Sequence, residues 1–221
     1  MIATIPPPPG YGQTDSSGTS ESTLPTGTAA VVLAAGAGER FNTVPHKLLT
    51  KINGTPLVRI AVNSALAANF DETIVVMGAI DLLGVLPLEV TVLQNDAWNQ
   101  GQATSLMAAI NYAGSRGHRA VVVGLGDQPG IPTAAWQAVG TADADLAIAE
   151  FSDSNGDDLR CPPTKIGAAF WSHLPLTGDE GARGLIRRKG DLVQAVPCEG
   201  NPADIDTPED LALWKSQTPS T

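Results

Sequence analysis

Small, basic and acidic residues are grouped at a few points of this sequence, in combinations that can bind a phosphate. In "AAGAGER", small residues are followed by Arg40, and Lys47 comes seven positions after that arginine. Backbone N–H groups of such small residues can converge on an anion, and the two cations add charge. The candidate loop consists of Ala34, Ala35, Gly36, Ala37 and Gly38. The alternative interpretation is a tight turn with a solvated arginine and lysine.

Carboxylates occur at two further points. Asp127 lies in "GLGDQPG", directly after an apolar run, and Asp204 and Asp206 lie in "ADIDTPEDLALW". Thr207 and Pro208 form a standard helix start, so the two aspartates before them are expected on a short strand. Since Mg²⁺ prefers carboxylate oxygens, Asp127 is a candidate metal ligand, and Asp204 and Asp206 are the candidates for a second one. As an alternative, Asp127 only forms a turn.

Two familiar phosphate loops do not fit. The Gly-x4-Gly-Lys-Ser/Thr loop does not occur in the sequence. Gly36 and Gly38 match the dinucleotide pattern G-x-G-x-x-G, but its third position is Phe41. Pro45 also interrupts the helix that this pattern would open.

The elements that position these residues form an α/β pattern. Buried strands are predicted in "TAAVVLAAG", "ETIVVMG", "LEVTVLQ", "RAVVVGLGD" and "ADLAIAEF". Helices are predicted in "TPLVRIAVNSALAA", "GQATSLMAAINYAG" and "PTAAWQAVG". Alternating strands and helices predict a mostly parallel sheet covered on both faces, a three-layer fold. Because "AAGAGER" and "GLGDQPG" both follow strands, we expect them side by side at one rim.

The chain divides into a tail and one domain. Residues 1–27 are rich in Pro, Ser, Thr and Gly, so they are predicted to be a disordered tail. Residues 28–217 are predicted to form a single domain. Cys161 and Cys198 are interpreted as buried free thiols, with a disulfide as the open alternative.

Composition excludes several classes of partner. The net charge of −10 argues against a nucleic-acid surface, which needs excess Lys and Arg. No apolar run approaches the length of roughly 18 residues that spans a membrane, so no membrane partner is expected. The N-terminus has no secretory pattern, and we expect a cytoplasmic protein.

Four motifs in order resemble the MobA-like NTP transferases of molybdenum-cofactor biosynthesis, and among them the molybdopterin cytidylyltransferases. The motifs are "LAAGAGERFNTVPHKLL", "GDQP", "GDEGARGLI" and "DIDTPEDL". The resemblance extends from Thr28 to about Lys215 and implies a GT-A-like, Rossmann-like nucleotidyltransferase fold. It implies Mg²⁺-dependent transfer of CMP from CTP to molybdopterin, with release of pyrophosphate.

The resemblance also implies roles for individual residues. The loop from Ala34 to Gly38 wraps the nucleotide, Arg40 and Lys47 neutralise its phosphates, and Asp127 and Asp206 hold Mg²⁺. "QGQATSL" resembles an element beside the base, so Gly101 and Ser105 would help to select that base; the alternative is a helix N-terminus.

The acceptor side departs from the family pattern, because "RCPPTKIGAAFW" has no histidine where family members often have one. Arg183, with Arg187 and Lys165 as further candidates, would bind an acceptor phosphate; as solvated helix charges they would need no explanation. His46, beside Lys47, is interpreted as a surface histidine, with a phosphate contact as the alternative.

Other functions remain open on the sequence alone. Within the class they are guanylyl transfer, or nucleotidyl transfer to another small phosphorylated metabolite. Outside it, the chain would be a non-catalytic nucleotide-binding protein that assembles molybdoenzymes, and a client molybdoenzyme is a candidate partner in either case.

Overall fold

The structure is a computed structural model, and it describes residues 2–3, 27–41, 45–152 and 156–217. Ten strands lie in this part of the chain. They are β1 (Ile2–Ala3), β2 (Gly27–Ala34), β3 (Lys51–Ile52), β4 (Thr55–Pro56), β5 (Glu72–Met77), β6 (Thr91–Gln94), β7 (His118–Leu125), β8 (Leu146–Ser152), β9 (Asp158–Gly167) and β10 (Val193–Pro197).

Eight of these strands form one sheet in the order β1-β6-β5-β2-β7-β9-β8-β10. All neighbours pair in parallel except β9, which is antiparallel to both β7 and β8. The short strands β3 and β4 form a separate antiparallel hairpin. The predicted mostly parallel sheet is therefore confirmed.

Helices cover both faces of the sheet. They are α1 (Leu57–Ala67), α2 (Gln102–Ser115), α3 (Thr133–Gly140), α4 (Gly181–Arg188) and α5 (Pro208–Gln217). Because side chains alternate along a strand, β2 sends Ala30 and Val32 into the cluster that includes α1 and α3 residues, and Val31 and Leu33 into the cluster with α2. Two apolar layers flanking a sheet make the predicted three-layer arrangement.

The five predicted strands and three predicted helices are all present, and so is a helix after Thr207, whereas β9 and β10 were not predicted. The strand β9 contains Pro162 and Pro163, which lack the N–H that a sheet ladder uses, and this obscures the strand pattern. The expectation of a short strand at Asp204 and Asp206 is wrong, because residues 201–206 have no regular secondary structure.

Most of the predicted tail lies outside the described residues. Within it, Ile2–Ala3 pairs in parallel with β6 at the edge of the sheet, and Gly27 belongs to β2. The boundary between tail and domain stays a prediction. Among the helices that the structure describes, none has the length and apolar character needed to cross a membrane.

Both cysteines are free thiols in the described structure, as predicted, but they are partly buried rather than fully buried. Cys161 lies on β9 and Cys198 follows β10, and β8 runs between these two strands. Burial, with smaller contributions from Asp204 and Cys198, raises the pKa of Cys161 to about 12, so this thiol is protonated at neutral pH.

Candidate active site

The loops that follow β2 and β7 meet at the rim of the sheet where these parallel strands end. The Gly126 N–H donates to the Leu33 carbonyl over 2.9 Å, which joins the two loops. The order of the strands changes direction here, because the chain leaves β2 toward β5 on one side while β7 lies on the other. Ligands of open α/β sheets bind at such a switch point, and the expected juxtaposition of the two loops is confirmed.

A cavity of about 460 Å³, here called the nucleotide cavity, opens at this rim. It brings together the residues predicted to bind nucleotide and metal: Ala34, Ala35, Gly36, Ala37, Gly38, Arg40, Lys47, Gly101, Ser105, Asp127 and Asp206. Trp98, Asn99, Gln102 and Asp179 also line it. Asp179 belongs to the "GDEGARGLI" motif, whereas nothing in the sequence pattern indicated Trp98 or Asn99.

Lys47 lies between the two candidate metal ligands. Its Nζ is 2.7 Å from Asp127 Oδ2 and 2.7 Å from Asp206 Oδ1. The Arg40 guanidinium lies 2.7 Å from the other oxygen of Asp206. The lysine side chain is only 10% exposed, whereas that of Arg40 is 75% exposed. The two cations therefore contact carboxylates in this structure, and phosphate contacts stay a prediction for both.

The pKa of Lys47 reflects two opposing effects. Burial lowers it, but the carboxylates of Asp127 and Asp206 outweigh burial and raise the pKa above its ordinary value. The ammonium is consequently charged at neutral pH, as a phosphate-binding group must be.

Asp127 and Asp206 are brought together by the segment that precedes α5. The Ile205 N–H donates to the Asp127 carbonyl at 3.0 Å, and Gln128 Nε2 donates to the Pro202 carbonyl at 3.0 Å. The predicted helix start is confirmed, since the Asp210 N–H donates to Thr207 Oγ1 at 3.1 Å. Asp206 thus lies between two anchored points, next to the loop that carries Asp127.

The two carboxylates fit a divalent cation. Asp127 Oδ1 is buried without a hydrogen-bond partner in the described structure, so one hard oxygen remains available to a ligand. No group of three or more His, Cys, Asp or Glu side chains suited to a metal occurs among the described residues. Two carboxylates suit Mg²⁺, which in nucleotide sites takes its remaining ligands from phosphates and water.

Asp204 adds a third carboxylate to this corner of the site. Burial, with repulsion from Asp127 and Asp206, raises the pKa of Asp204 to about 6. Its side chain nevertheless keeps access to solvent, so we attribute the effect chiefly to the concentration of negative charge. Local negative charge of this kind attracts cations.

Gly101 and Ser105 lie at the start of α2. Gly101 has φ of 105°, and a Cβ built on it would lie 2.4 Å from the Gly178 carbonyl carbon. The Ala103 N–H also donates to the Gly178 carbonyl at 2.9 Å, so the backbone at Gly178 fixes the backbone at the start of α2. Ser105 is buried and accepts a hydrogen bond from Asn95 Nδ2 at 2.9 Å. The alternative interpretation, a helix N-terminus, accounts for the glycine, and base selection stays a prediction.

Arg183 lies outside the nucleotide cavity, in a neighbouring cavity of about 250 Å³ that we call the acceptor cavity. The two cavities share Leu33, Gln102 and Leu125 as walls. Arg160 and Arg187 line the acceptor cavity too, but they contact Glu150 and Glu180 at 2.9 and 2.7 Å. The described residues give Arg183 no ion-pair partner, so its charge is available to a ligand.

Lys165 does not belong to this site, and its interpretation as an acceptor ligand is wrong. Because β9 is antiparallel to β7, its later residues lie toward the start of β7, at the end of the strands opposite the nucleotide cavity. Lys165 Nζ donates to the Ala142 carbonyl there, in a different cavity that Asn69 and Asp145 also line.

His46 is not the surface histidine that the sequence indicated. Its Nε2 is buried beneath the loop after β2, and its Nδ1 accepts from the Leu48 N–H at 3.2 Å. Burial lowers the pKa of His46, and the neighbouring Lys47 ammonium lowers it further. The ring is therefore neutral at pH 7.

Comparison with known proteins gives one family match. Residues 30–193 match the family model described as MobA-like NTP transferase domain. The 2-C-methyl-D-erythritol 4-phosphate cytidylyltransferase of Nocardia farcinica (strain IFM 10152) is 30% identical over 222 aligned positions, covering 83% of this chain and 90% of that protein. A shorter match, 43% identical, joins 25% of this chain to the bifunctional protein GlmU of Sorangium cellulosum (strain So ce56), of which it spans only 12%.

Solved structures share the fold. A homologue of Mycobacterium tuberculosis Rv0371c from Mycobacterium sp. strain JC1 superposes with a TM-score of 0.72 at 28% identity, covering 86% of this chain and 96% of that one. A complex of Rv0371c with manganese, from M. tuberculosis H37Rv, gives a TM-score of 0.72 at 24% identity, covering 87% of this chain and 100% of that one.

Proposed function

Because the chain belongs to the MobA-like NTP transferase family, we propose that it transfers CMP from CTP to a phosphate-bearing acceptor, for which molybdopterin is the first candidate. A phosphate oxygen of the acceptor attacks the α-phosphorus of CTP and forms a new P–O bond. The bond from that phosphorus to the bridging oxygen breaks, and pyrophosphate leaves with the electron pair. The attacking phosphate is already ionised at neutral pH, so the reaction needs no general base.

The observation that carries the proposal is the composition of the nucleotide cavity. A loop of small residues, two cations and two carboxylates line one space at the end of β2 and β7. Phosphoryl-type transfer asks a protein mainly for positioning and charge neutralisation. The loop and Lys47 would position the triphosphate and neutralise its charge, with Arg40 beside them. To contact the phosphate oxygens, Lys47 and Arg40 must give up their present carboxylate partners.

In this proposal Asp127 and Asp206 hold Mg²⁺, which when bound neutralises phosphate charge. The unpartnered Asp127 Oδ1 supports this assignment. A protein of the same fold, Rv0371c, is known as a complex with manganese, which agrees with the proposal of a divalent cation.

CTP is proposed as the donor on two grounds. A relative that shares most of its length with this chain is a cytidylyltransferase. In addition, the small residues Ala34, Ala35 and Gly101 leave backbone groups near the space for a base, where hydrogen bonds discriminate strongly between substrates. Guanylyl transfer is the alternative within the class.

The acceptor is proposed to enter the acceptor cavity, where Arg183 would bind its phosphate. Val123, Ile148 and Ile186 add apolar surface beside this cation, so the cavity offers a charge for a phosphate and packing surface for the rest of an acceptor. Molybdopterin is proposed from the sequence motifs, and a phosphorylated alcohol from the erythritol-phosphate relative. A protein that binds nucleotide without turnover, and hands the cofactor to a client molybdoenzyme, is the candidate from another class.

The decisive experiment is a matrix of substrates. Pyrophosphate release is measured with CTP, GTP, ATP and UTP, each with molybdopterin or 2-C-methyl-D-erythritol 4-phosphate, in the presence of Mg²⁺. We expect the highest kcat/KM with CTP and molybdopterin. Release with the erythritol phosphate alone would replace the acceptor, a preference for GTP would replace the donor, and nucleotide binding without release from any pair would favour the assembly protein.

A further inference from the structure

The two ring nitrogens of His46 have different environments. Nδ1 accepts a hydrogen bond from the Leu48 N–H at 3.2 Å, at the start of the short 3-10 helix Lys47–Leu49. Since this bond uses the Nδ1 lone pair, the neutral ring carries its proton on Nε2. The hydrogen-bond pattern therefore makes Nε2 a donor.

This donor lies directly beneath the loop after β2. Nε2 is buried and has no hydrogen-bond partner among the described residues. A Cβ built on Gly38 would lie 2.8 Å from Nε2, so the loop backbone passes over the ring with no space between them. A buried donor without a partner is rare in native proteins and calls for an explanation.

The hydrogen bonds of the loop leave two carbonyls for this donor. The carbonyls of Ala35 and Gly38 accept from the N–H groups of Ala79 and Phe41, at 2.9 and 3.0 Å. Those of Gly36 and Ala37 accept from no described N–H. Burial lowers the pKa of His46, and the backbone of Ala37 and Gly36 raises it by a smaller amount. Such an effect requires carbonyl acceptors near the ring, although neither carbonyl reaches hydrogen-bond geometry with Nε2.

The N–H groups of the loop are unused as well. Within the described structure, residues 36–40 donate no backbone N–H to another residue. In a trans peptide the C=O and the following N–H point in opposite directions. If the carbonyls of Gly36 and Ala37 face His46, the N–H groups of Ala37 and Gly38 face the nucleotide cavity.

From this geometry we propose that His46 is a positioning residue: when the nucleotide binds, its Nε2–H donates to the carbonyl of Gly36 or Ala37 and thereby aims the N–H groups of Ala37 and Gly38 at the β- and γ-phosphates. The inference rests on the proposed function, because it assumes that the loop binds a triphosphate. His46 acts through the loop, which covers its Nε2, and does not touch the substrate.

The test uses two substitutions that differ in one property. His46→Gln places an amide N–H donor near the position of Nε2, whereas His46→Met fills the same space without a donor. Both remove the Nδ1 acceptor, so both lose the bond to Leu48 equally. Dissociation constants for CTP and CMP are measured by calorimetric titration with Mg²⁺, together with KM, kcat and the melting temperature.

We expect His46→Met to weaken CTP binding about tenfold, the effect of one lost hydrogen-bond contribution, and to raise KM more than it lowers kcat. His46→Gln should bind CTP within about threefold of the wild type, and CMP binding should change little in either variant. Their melting temperatures should agree.

A third variant, His46→Asn, keeps an acceptor for Leu48 but does not reach the loop, and it should bind CTP as weakly as His46→Met. Equal CTP binding by the Gln and Met variants would overturn the inference and leave the proposed function intact. A wild-type protein that binds CTP no better than CMP would overturn both.

Discussion

Lys47 and Arg40 both contact Asp206, but burial separates their roles. Lys47 is nearly inaccessible to solvent and is held by two carboxylates, whereas Arg40 extends into solvent with one. A buried ammonium is tolerated only where its charge is paired. In this structure the lysine thus keeps Asp127 and Asp206 close together by screening their mutual repulsion, and it would contact a phosphate only by exchanging these partners.

The first prediction concerns Asp127. Asp127→Asn should lower kcat at least a hundredfold, an effect of roughly 3 kcal/mol on the barrier, because it removes one negative ligand of the cation. The fold should persist, since the backbone bond from Ile205 to Asp127 is unaffected. Pyrophosphate release and circular dichroism measure the two effects.

Asp191→Asn is the matched control, because Asp191 is exposed and lies outside the nucleotide cavity. It should leave both readouts unchanged. Turnover by Asp127→Asn that approaches the wild-type rate at saturating Mg²⁺ would remove Asp127 from the metal site.

At the scale of elements, the start of α2 and the turn at Gly178 form one unit. The Gly178 N–H donates to the Gln100 carbonyl and its own carbonyl accepts from Ala103, both at 2.9 Å. The residue that follows, Asp179, lines the nucleotide cavity together with the loop after β2. It also explains why position 101 has no side chain.

The second prediction follows from that contact. Gly101→Ala should destabilise the fold by more than about 2 kcal/mol, since a φ of 105° with ψ of 165° is nearly restricted to glycine and the new Cβ would meet backbone atoms. Gly54→Ala is the control: its φ of 82° is also positive, but open space surrounds the new Cβ. Its cost should be about 1–2 kcal/mol. Chemical denaturation of both variants tests this, and equal costs would show that the Gly178 contact is unimportant.

The third prediction concerns Glu72, which joins β5 to neighbouring elements. It accepts from Thr91 Oγ1 at 2.6 Å and Tyr112 OH at 3.0 Å, and it lies 2.9 Å from His118 Nε2. Burial opposes its ionisation, but these hydrogen bonds outweigh burial and lower the pKa of Glu72 below its ordinary value.

A lowered pKa means that the folded state favours the ionised form. The stabilisation from Glu72 should be complete above its unfolded pKa, roughly 4.3, and should disappear as pH falls through the lower folded value. The unfolding free energy of the wild type should therefore exceed that of Glu72→Gln most at pH 7 and converge with it in acid. A difference independent of pH would contradict this.

Some of the site could be predicted from the sequence because its motifs follow strands with clear apolar patterns. The strands ending at Ala34 and Leu125 were recognised, and their loops meet as expected. The direction of β9 could not be predicted, since a proline pair obscures its strand pattern. Lys165 was therefore assigned to the wrong end of the strands. The burial of the Nε2 atom of His46 was also missed, because it depends on a loop folding over the ring.

At the scale of the whole molecule, strands of one sheet line both cavities, and the family resemblance inferred from four motifs is confirmed by the match over residues 30–193. The same helices that cover the sheet also form the walls of the site. Gln102 of α2 belongs to both cavities, and Arg183 and Ile186 of α4 line the acceptor cavity. The donor and acceptor substrates would thus both lie beside the helices α2 and α4.

The fourth prediction concerns the N-terminal segment. Deleting residues 1–24 should lower the melting temperature by no more than about 4 °C, because the described part of that segment adds only the two-residue strand β1 at the edge of the sheet. The rate of pyrophosphate release should be unchanged. A loss of many degrees, measured by differential scanning calorimetry, would show that the segment packs on the domain.

The central claim is that the loop after β2 and Lys47 bind the triphosphate, and Lys47→Ala tests it most directly. A charged hydrogen bond contributes roughly 1.5–3 kcal/mol, so CTP binding with Mg²⁺ should weaken about ten- to a hundredfold. CMP, which lacks the β- and γ-phosphates, should bind almost as before. Lys47→Arg should not restore CTP binding fully, because a planar guanidinium does not replace a compact ammonium at a fixed site.

The control is Lys51→Ala, which removes an exposed lysine outside the nucleotide cavity and should change neither constant. The measurement is one calorimetric titration of each variant with CTP and with CMP. A selective loss of CTP affinity in Lys47→Ala is the result expected here. Equal weakening of CTP and CMP, or no weakening of either, would contradict the assignment of this cavity to the triphosphate.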